Sequence, residues 1–258
     1  MSPRAEGRIF RKERPGAPEG FFAAEAAGLS WLAEAGGARA ARVVQVEAEA
    51  IELERLATVA PDGAAARAFG AALAVTHDAG APAFGSPPPG VTALFIGARS
   101  QPAAAEETWG PFYARDRVLP FLPPALDAGF LTSEEAAVVR DACATIAAGA
   151  FDDGEAPARL HGDLWHGNVL WTPAGVVLID PAAHGGHRET DLAMLDLFGC
   201  PFLDDIVAGY EERHPLTSGW RSRLPLHQLH PLAVHAAGHG RHYGRALADA
   251  ARQTLALG

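Results

Sequence analysis

Cysteine is scarce in this chain: Cys143 and Cys200 are the only two in 258 residues. Two are too few for a disulfide framework, and both sit in apolar contexts that read as helix. No apolar run approaches the length of a membrane span, and Met1 to Gly7 has no apolar core of the kind a secretory signal carries. These absences make a reduced cytoplasm the expected location. Positive charge is also short: 21 Lys and Arg against 31 Asp and Glu leave a net charge of −10. An acidic protein is repelled by nucleic acid and by anionic membrane surfaces, so neither is expected as a partner. No internal repeat is visible. The length allows one large domain or two modest lobes, each with a proper core.

The chemistry is concentrated between Leu160 and Pro181, in L-H-G-D-L-W-H-G-N-V-L-W-T-P-A-G-V-V-L-I-D-P. Val169 to Trp171 and Val176 to Ile179 are β-prone segments joined by Thr172-Pro173-Ala174-Gly175, which reads as a tight turn. The resulting hairpin carries Asn168 at its entrance and Asp180 at its exit, with Asp163 in the loop before it. Phosphoryl transfer needs such a group. A carboxylate orients the attacking hydroxyl and takes its proton, while an Asn and an Asp offer hard oxygen ligands to Mg²⁺. The spacing H-x-D-x-x-x-x-N followed by an Asp beyond a hairpin is that of the protein-kinase catalytic loop. His161, Asp163, Asn168 and Asp180 fit it, with Asp180-Pro181-Ala182 where protein kinases have D-F-G. Singly, such residues usually satisfy loop backbone or cap a helix; in this order, around a hairpin, they read as a site.

Upstream, Arg8 to Lys12 reads as a strand, and the run from Glu19 to Gly37 as a helix with Phe22, Ala26, Leu29 and Leu32 on its apolar face. Glu25 lies beside that stripe, and the cation able to meet it is Lys12, the strand-and-helix pair by which kinases hold nucleotide phosphates. Arg42 to Val46 and Ala50 to Leu53 read as two strands, and Glu54, Arg55 and Leu56 as a hinge whose backbone meets an adenine edge. Asp62 caps a helix to His77. Gly80 to Glu107, rich in Gly and Pro, reads as a long connection of the kind that binds ligands or is disordered. Trp109, Phe112 and Tyr113 anchor the next segment, with Arg115 and Arg117 nearby, and Thr132-Ser133-Glu134-Glu135 is a capping box. Asp191 reads as a cap or loop brace. His235, His239 and His242 have helical metal-ligand spacing, but no acidic or cysteine ligand lies near them in sequence, so they read as packing and surface residues.

Taken together, H-G-D-L-W-x-G-N at His161 to Asn168, I-D-P-A at Ile179 to Ala182, G-H-R-E-x-D-L-A-M at Gly186 to Met194, the run from Ala17, and W-x-x-F-Y from Trp109 resemble the fructosamine kinase (ketosamine 3-kinase) family, relatives of aminoglycoside phosphotransferases and choline kinases. The resemblance implies an α+β, protein-kinase-like two-lobe fold. Residues 1–56 would form a small, incomplete β-sheet lobe and 57–258 a helical lobe bearing the catalytic loop. It implies ATP-dependent, Mg²⁺-assisted phosphorylation of the sugar 3-hydroxyl of a small-molecule ketosamine or other glycated amine. Asp163 would be the base, Asn168 and Asp180 the Mg²⁺ ligands, Lys12 and Glu25 the phosphate-holding pair, and Glu54, Arg55 and Leu56 the adenine hinge. Trp165, His187, Arg188 and Glu189 would lie near the sugar.

Two departures stand out. The chain reaches Lys12 without the two strands and covering loop that precede that lysine in the family, so either its start is placed late or it is a truncated kinase. The tyrosine found in the family before G-H-R-E is replaced by the turn Ala183-His184-Gly185-Gly186. An aminoglycoside- or choline-type kinase, and a kinase-like binding module without turnover, are the competing expectations.

Overall fold

The structure, a computed structural model, describes residues 9–258. Strand β1 (Ile9–Glu13) leads into helix α1 (Phe21–Glu34). Strands β2 (Arg39–Ala40), β3 (Val43–Val46) and β4 (Ala50–Glu54) follow, and β4 lies antiparallel between β1 and β3. Alternation decides which face is covered. Ile51 and Leu53 turn inward onto Phe22, Leu29 and Leu32 of α1, all nearly or fully buried. The outer edge of β1 pairs with no strand among the described residues, and Phe10 is 47% exposed there. Strand β2 leaves this sheet and pairs in parallel with the catalytic hairpin, Arg39 opposite Val177 and Ala40 opposite Leu178 in register.

Helix α2 (Gly63–Asp78) begins at Asp62, whose carboxylate accepts from the Ala65 amide at 2.9 Å. The connection after it is not structureless: β5 (Leu94–Ile96) and β6 (Arg99–Gln101) form a short hairpin within Gly80 to Glu107. Three-residue strands in a Gly- and Pro-rich context carry too little periodicity to be seen in sequence. Helix α3 (Trp109–Phe112) runs on through a π-helical turn to Val118 and a tight turn into α4 (Leu122–Asp127). Helix α5 (Ser133–Ala147) opens with both reciprocal bonds of the Thr132–Glu135 capping box.

Strand β7 (Ala158–Leu160) leads through the His161–Asn168 loop to the hairpin β8 (Val169–Thr172) and β9 (Gly175–Leu178), and β10 (His184–Gly186) returns antiparallel to β7. Four helices close the chain: α6 (Glu189–Leu197), α7 (Leu203–Arg213), α8 (Leu224–Ala236) and α9 (Arg241–Leu255). Cys143 lies in α5, in the helix its context predicts, but Cys200 falls in the α6–α7 connection, because Gly199 with φ 69° ends the helix first. Both thiols are free and buried. No helix among the described residues is long and apolar enough to cross a membrane.

One apolar cluster gathers α3, α5, α8 and α9, and a second joins α2, α6 and α7 to the catalytic hairpin. The second depends on a close crossing of α2 and α7. A Cβ added at Gly70 would stand 1.8 Å from the Ile206 carbonyl oxygen, and one at Gly209 would stand 1.9 Å from that of Arg67. The helix backbones must separate to admit either methyl group. Gly70→Ala and Gly209→Ala should therefore each cost about 1–3 kcal/mol, read as a lower midpoint in thermal or urea unfolding.

Candidate active site

The catalytic loop is fixed from beneath before any ligand is considered. Asp191, near the start of α6 and 1% exposed, accepts from the backbone amides of His161 at 2.8 Å and Gly162 at 3.0 Å, and meets His77 Nε2 at 3.2 Å. A carboxylate so buried is costly unless its oxygens are filled. Burial acts to raise its pKa, but His77 and the amide donors outweigh it and hold the group ionised, below its usual range. His77 in turn contacts the Tyr210 hydroxyl at 2.8 Å. Gly162 adopts φ 79°, and a Cβ there would lie 2.3 Å from the Ala182 carbonyl oxygen, so the loop can turn against the segment after Asp180 only with glycine.

His161 links the loop to the hairpin. Its Nε2 lies 2.9 Å from the Ile179 carbonyl and its Nδ1 accepts from the Asp163 amide at 3.2 Å. Those roles require a neutral ring protonated at Nε2, consistent with burial lowering its pKa. Asn168 Nδ2 donates to the Asp163 carbonyl at 2.8 Å and lies 3.3 Å from Asp163 Oδ2. The amide oxygen of Asn168 is left for another ligand. Asp180 follows with φ 53°, a left-handed conformation that few side chains other than Asn or Asp accept without strain.

Lys12, the only lysine in the chain, reaches this group from β1. Its Nζ lies 2.9 Å from Glu25 Oε2 and 3.0 Å from Asp180 Oδ1. Burial works against the ammonium, but the two carboxylates more than offset it and raise its pKa. The other Glu25 oxygen is buried and has no hydrogen-bond partner among the described residues. Asp163 is in a different environment. Burial first, then the charges of Asp180 and Asp191, push its carboxyl up to about 7, against the lowering effect of Asn168 and Lys12.

Two cavities meet here. One, of about 210 Å³, is lined by Lys12, Glu25, Asp163, Asn168 and Asp180 together with Phe95 and Trp165. The other, of about 460 Å³, is mostly apolar, with Leu53, Leu56, Leu170 and Ile179 in its walls and Glu54 and Arg55 at its edge. Lys12 and Asp180 line both, and so mark their junction. The Glu54 side chain is itself taken by Arg39, at 2.8 and 2.9 Å.

Trp165 lines the first cavity, but His187, Arg188 and Glu189, expected near the sugar, line neither. All three are buried in a polar scaffold. His187 Nε2 meets Asp153, Arg188 donates to Glu155, Asp78 and the Tyr210 hydroxyl, and Glu189 is held by Arg223 and faces His227. His187, Glu189 and His227 stand close enough to share a metal ion, yet both Glu189 oxygens already accept from Arg223. Arg117 is also buried, donating to the Pro102 and Asp116 carbonyls at 2.8 and 3.0 Å. Burial brings its pKa down to about 9. His235 lies in the last turn of α8, whereas His239 lies in the turn before α9, so these histidines share no single helix.

The fold defines the class: a mixed helix-and-sheet protein of kinase-like architecture. A choline kinase from Streptococcus pneumoniae superposes with a TM-score of 0.60 at 16% identity, over 97% of this chain and 86% of its own, a likeness of fold alone. Within that class the fructosamine kinase family model matches residues 2–256. A putative fructosamine-3-kinase from Thermobifida fusca is 44% identical with a TM-score of 0.91, covering 98% of this chain and 87% of that one. A probable ketoamine kinase from Enterococcus faecium is 31% identical over 236 residues, 91% of this chain and 83% of its own length. The chain belongs to the fructosamine kinase family.

Phe95 escapes sequence reasoning because its hairpin reads as a connection. The role of Asp191 is only half legible, since its partners His161 and His77 lie far away along the chain. Removing that brace should matter more than its distance from the cleft implies. Asp191→Ala is expected to lower kcat about 100-fold through misplacement of the loop, and steady-state kinetics beside a thermal melt would separate this from simple unfolding.

Proposed function

We propose that the chain transfers the γ-phosphate of ATP to the 3-hydroxyl of a fructosamine or ribulosamine, the sugar adducts that form when amines are glycated. A 3-phosphate on such an adduct is unstable and sheds the amine, so the reaction amounts to repair. The observation that carries this reading is the convergence of Lys12, Asp163, Asn168 and Asp180 on one cavity, in a chain of the fructosamine kinase family.

The apolar cavity lined by Glu54, Arg55 and Leu56 suits an adenine ring, whose polar edge the backbone of that segment would meet. Lys12, kept protonated by Glu25 and Asp180, would hold the phosphates. Asn168 and Asp180 fit Mg²⁺, because the Asn168 amide nitrogen is committed to the loop and its oxygen is free, and Asp180 is a half-open carboxylate. Held by Asn168 and Asp180, Mg²⁺ would supply charge neutralisation for the phosphates during transfer. Asp163 would accept the proton of the attacking hydroxyl, and its raised pKa suits a base working near neutral pH.

Two measurements test these roles. Asp163→Asn keeps the shape and the bond from Asn168 but cannot take a proton, and should lower kcat about 10²–10⁴-fold, with ATP affinity by calorimetry little changed; full turnover by that variant would remove Asp163 as the base. Because the carboxyl titrates at about 7 and acts as the anion, kcat/KM for the acceptor should climb as pH rises through neutrality and then level off. A profile flat from pH 5 to 8 would contradict that assignment.

A further inference from the structure

The acceptor half of the cleft has one wall built by the β5–β6 hairpin. Phe95, half-buried on β5, lines the cavity that contains Asp163 and Trp165 but not the cavity beside the hinge. It is held there at three points. Its ring meets Phe21 of α1 edge-on, centroids 5.3 Å apart. Arg99 on β6 donates to the Ala237 carbonyl at the end of α8. Beyond β6, the buried Arg117 donates to the Pro102 carbonyl. The hairpin thus spans from α1 to the α8–α9 turn and presents Phe95 on a fixed support.

The charge of the same cavity is lopsided. Glu25, Asp163 and Asp180 face a single cation, Lys12, which two of those carboxylates already engage. A nucleotide triphosphate would add further negative charge. An acceptor bearing a positive charge is favoured in such surroundings, and aromatic faces attract a cation without offering it a counter-charge that would have to be desolvated. Three aromatic side chains line this cavity, Phe21, Phe95 and Trp165. The Phe21 ring is already engaged, with Phe22 and Phe95 against it and the Arg14 guanidinium over its face. Phe95 packs edge-on against Phe21, and Trp165 against His166 and Phe198, but among the described residues neither ring has a cation over its face as Phe21 does.

We propose that Phe95, together with Trp165, recognises the secondary ammonium group of the acceptor, and so selects amine-bearing ketoses over neutral sugars. This rests on the ketosamine reading and assigns the part of the substrate that the hairpin reads. The sugar hydroxyl goes to Asp163. The substituted ammonium lies against the Phe95 ring, and the remainder of the amine leaves the cleft past Gly97, the exposed glycine at the hairpin turn.

The test uses the whole chain and two ligands: an Nα-blocked fructosyl-lysine, and its uncharged analogue with an ether oxygen in place of the amine nitrogen. Binding is read by calorimetry and turnover by phosphate incorporation. Phe95→Leu keeps apolar bulk but removes the ring, and should weaken the charged ligand about 10-fold, leaving the ether analogue and Mg-ATP within about twofold. Phe95→Tyr should restore the wild-type values. An unchanged affinity of Phe95→Leu for the charged ligand would overturn the inference and leave the ketosamine reading standing, as would an equal loss for both ligands. Wild-type protein that neither binds nor phosphorylates the fructosyl-lysine would overturn both. A melting temperature unchanged from wild type confirms that the variant is folded.

Discussion

One ammonium holds the two parts of the cleft together. Lys12 Nζ touches Glu25 on α1 and Asp180 at the exit of the catalytic hairpin, and each contact needs the other. Glu25 is 6% exposed, and a carboxylate so placed is stabilised only while a cation is within reach. Helix α1 must therefore stay close to β1, and the apolar contacts of Phe22 and Leu29 with Ile51 and Leu53 keep it there. Behind it, Arg159 stacks on Trp31 and donates to its carbonyl, tying the end of α1 to the strand that feeds the catalytic loop. A shift of α1 would break packing and electrostatics at once.

Asp163 and Asp180 show how environment divides two like groups. Asp180 is half-open, paired with Lys12, and held by an unusual backbone angle where both cavities reach it. Asp163 is half-buried in the cavity wall, has only Asn168 as a close side-chain donor among the described residues, and shares its surroundings with two other carboxylates. One suits holding a cation and the other suits moving a proton, although both are aspartates of one short segment. The brace under them, Asp191 with His77 and Tyr210, has no part in the cleft and sets where both can stand.

What could be seen in the sequence was whatever is encoded locally. The catalytic hairpin was legible because Pro173 and Gly175 punctuate two short apolar runs, and the helix caps at Asp62 and Thr132 because their partners lie three residues away. The pairing of Lys12 with Glu25 was reachable because a carboxylate beside an apolar stripe asks for a cation. The partners of the polar run His187-Arg188-Glu189 could not be seen, since Asp153, Asp78 and Arg223 are distant in the chain. A plain count held a signal that periodicity did not. Every other basic side chain apart from histidine is arginine, so the single lysine marks the position where a compact, freely rotating ammonium is wanted.

That count also bears on what the molecule can suffer. Amines add to the carbonyl carbon of reducing sugars through the nitrogen lone pair, and apart from Lys12 this arginine-rich chain offers no lysine to do so. The one ε-amino group is enclosed between two carboxylates that keep it protonated, and a protonated amine has no lone pair to give. A chain of the fructosamine kinase family thus carries almost no side-chain target for Schiff-base formation, and its one target lies chemically silenced inside its own cleft.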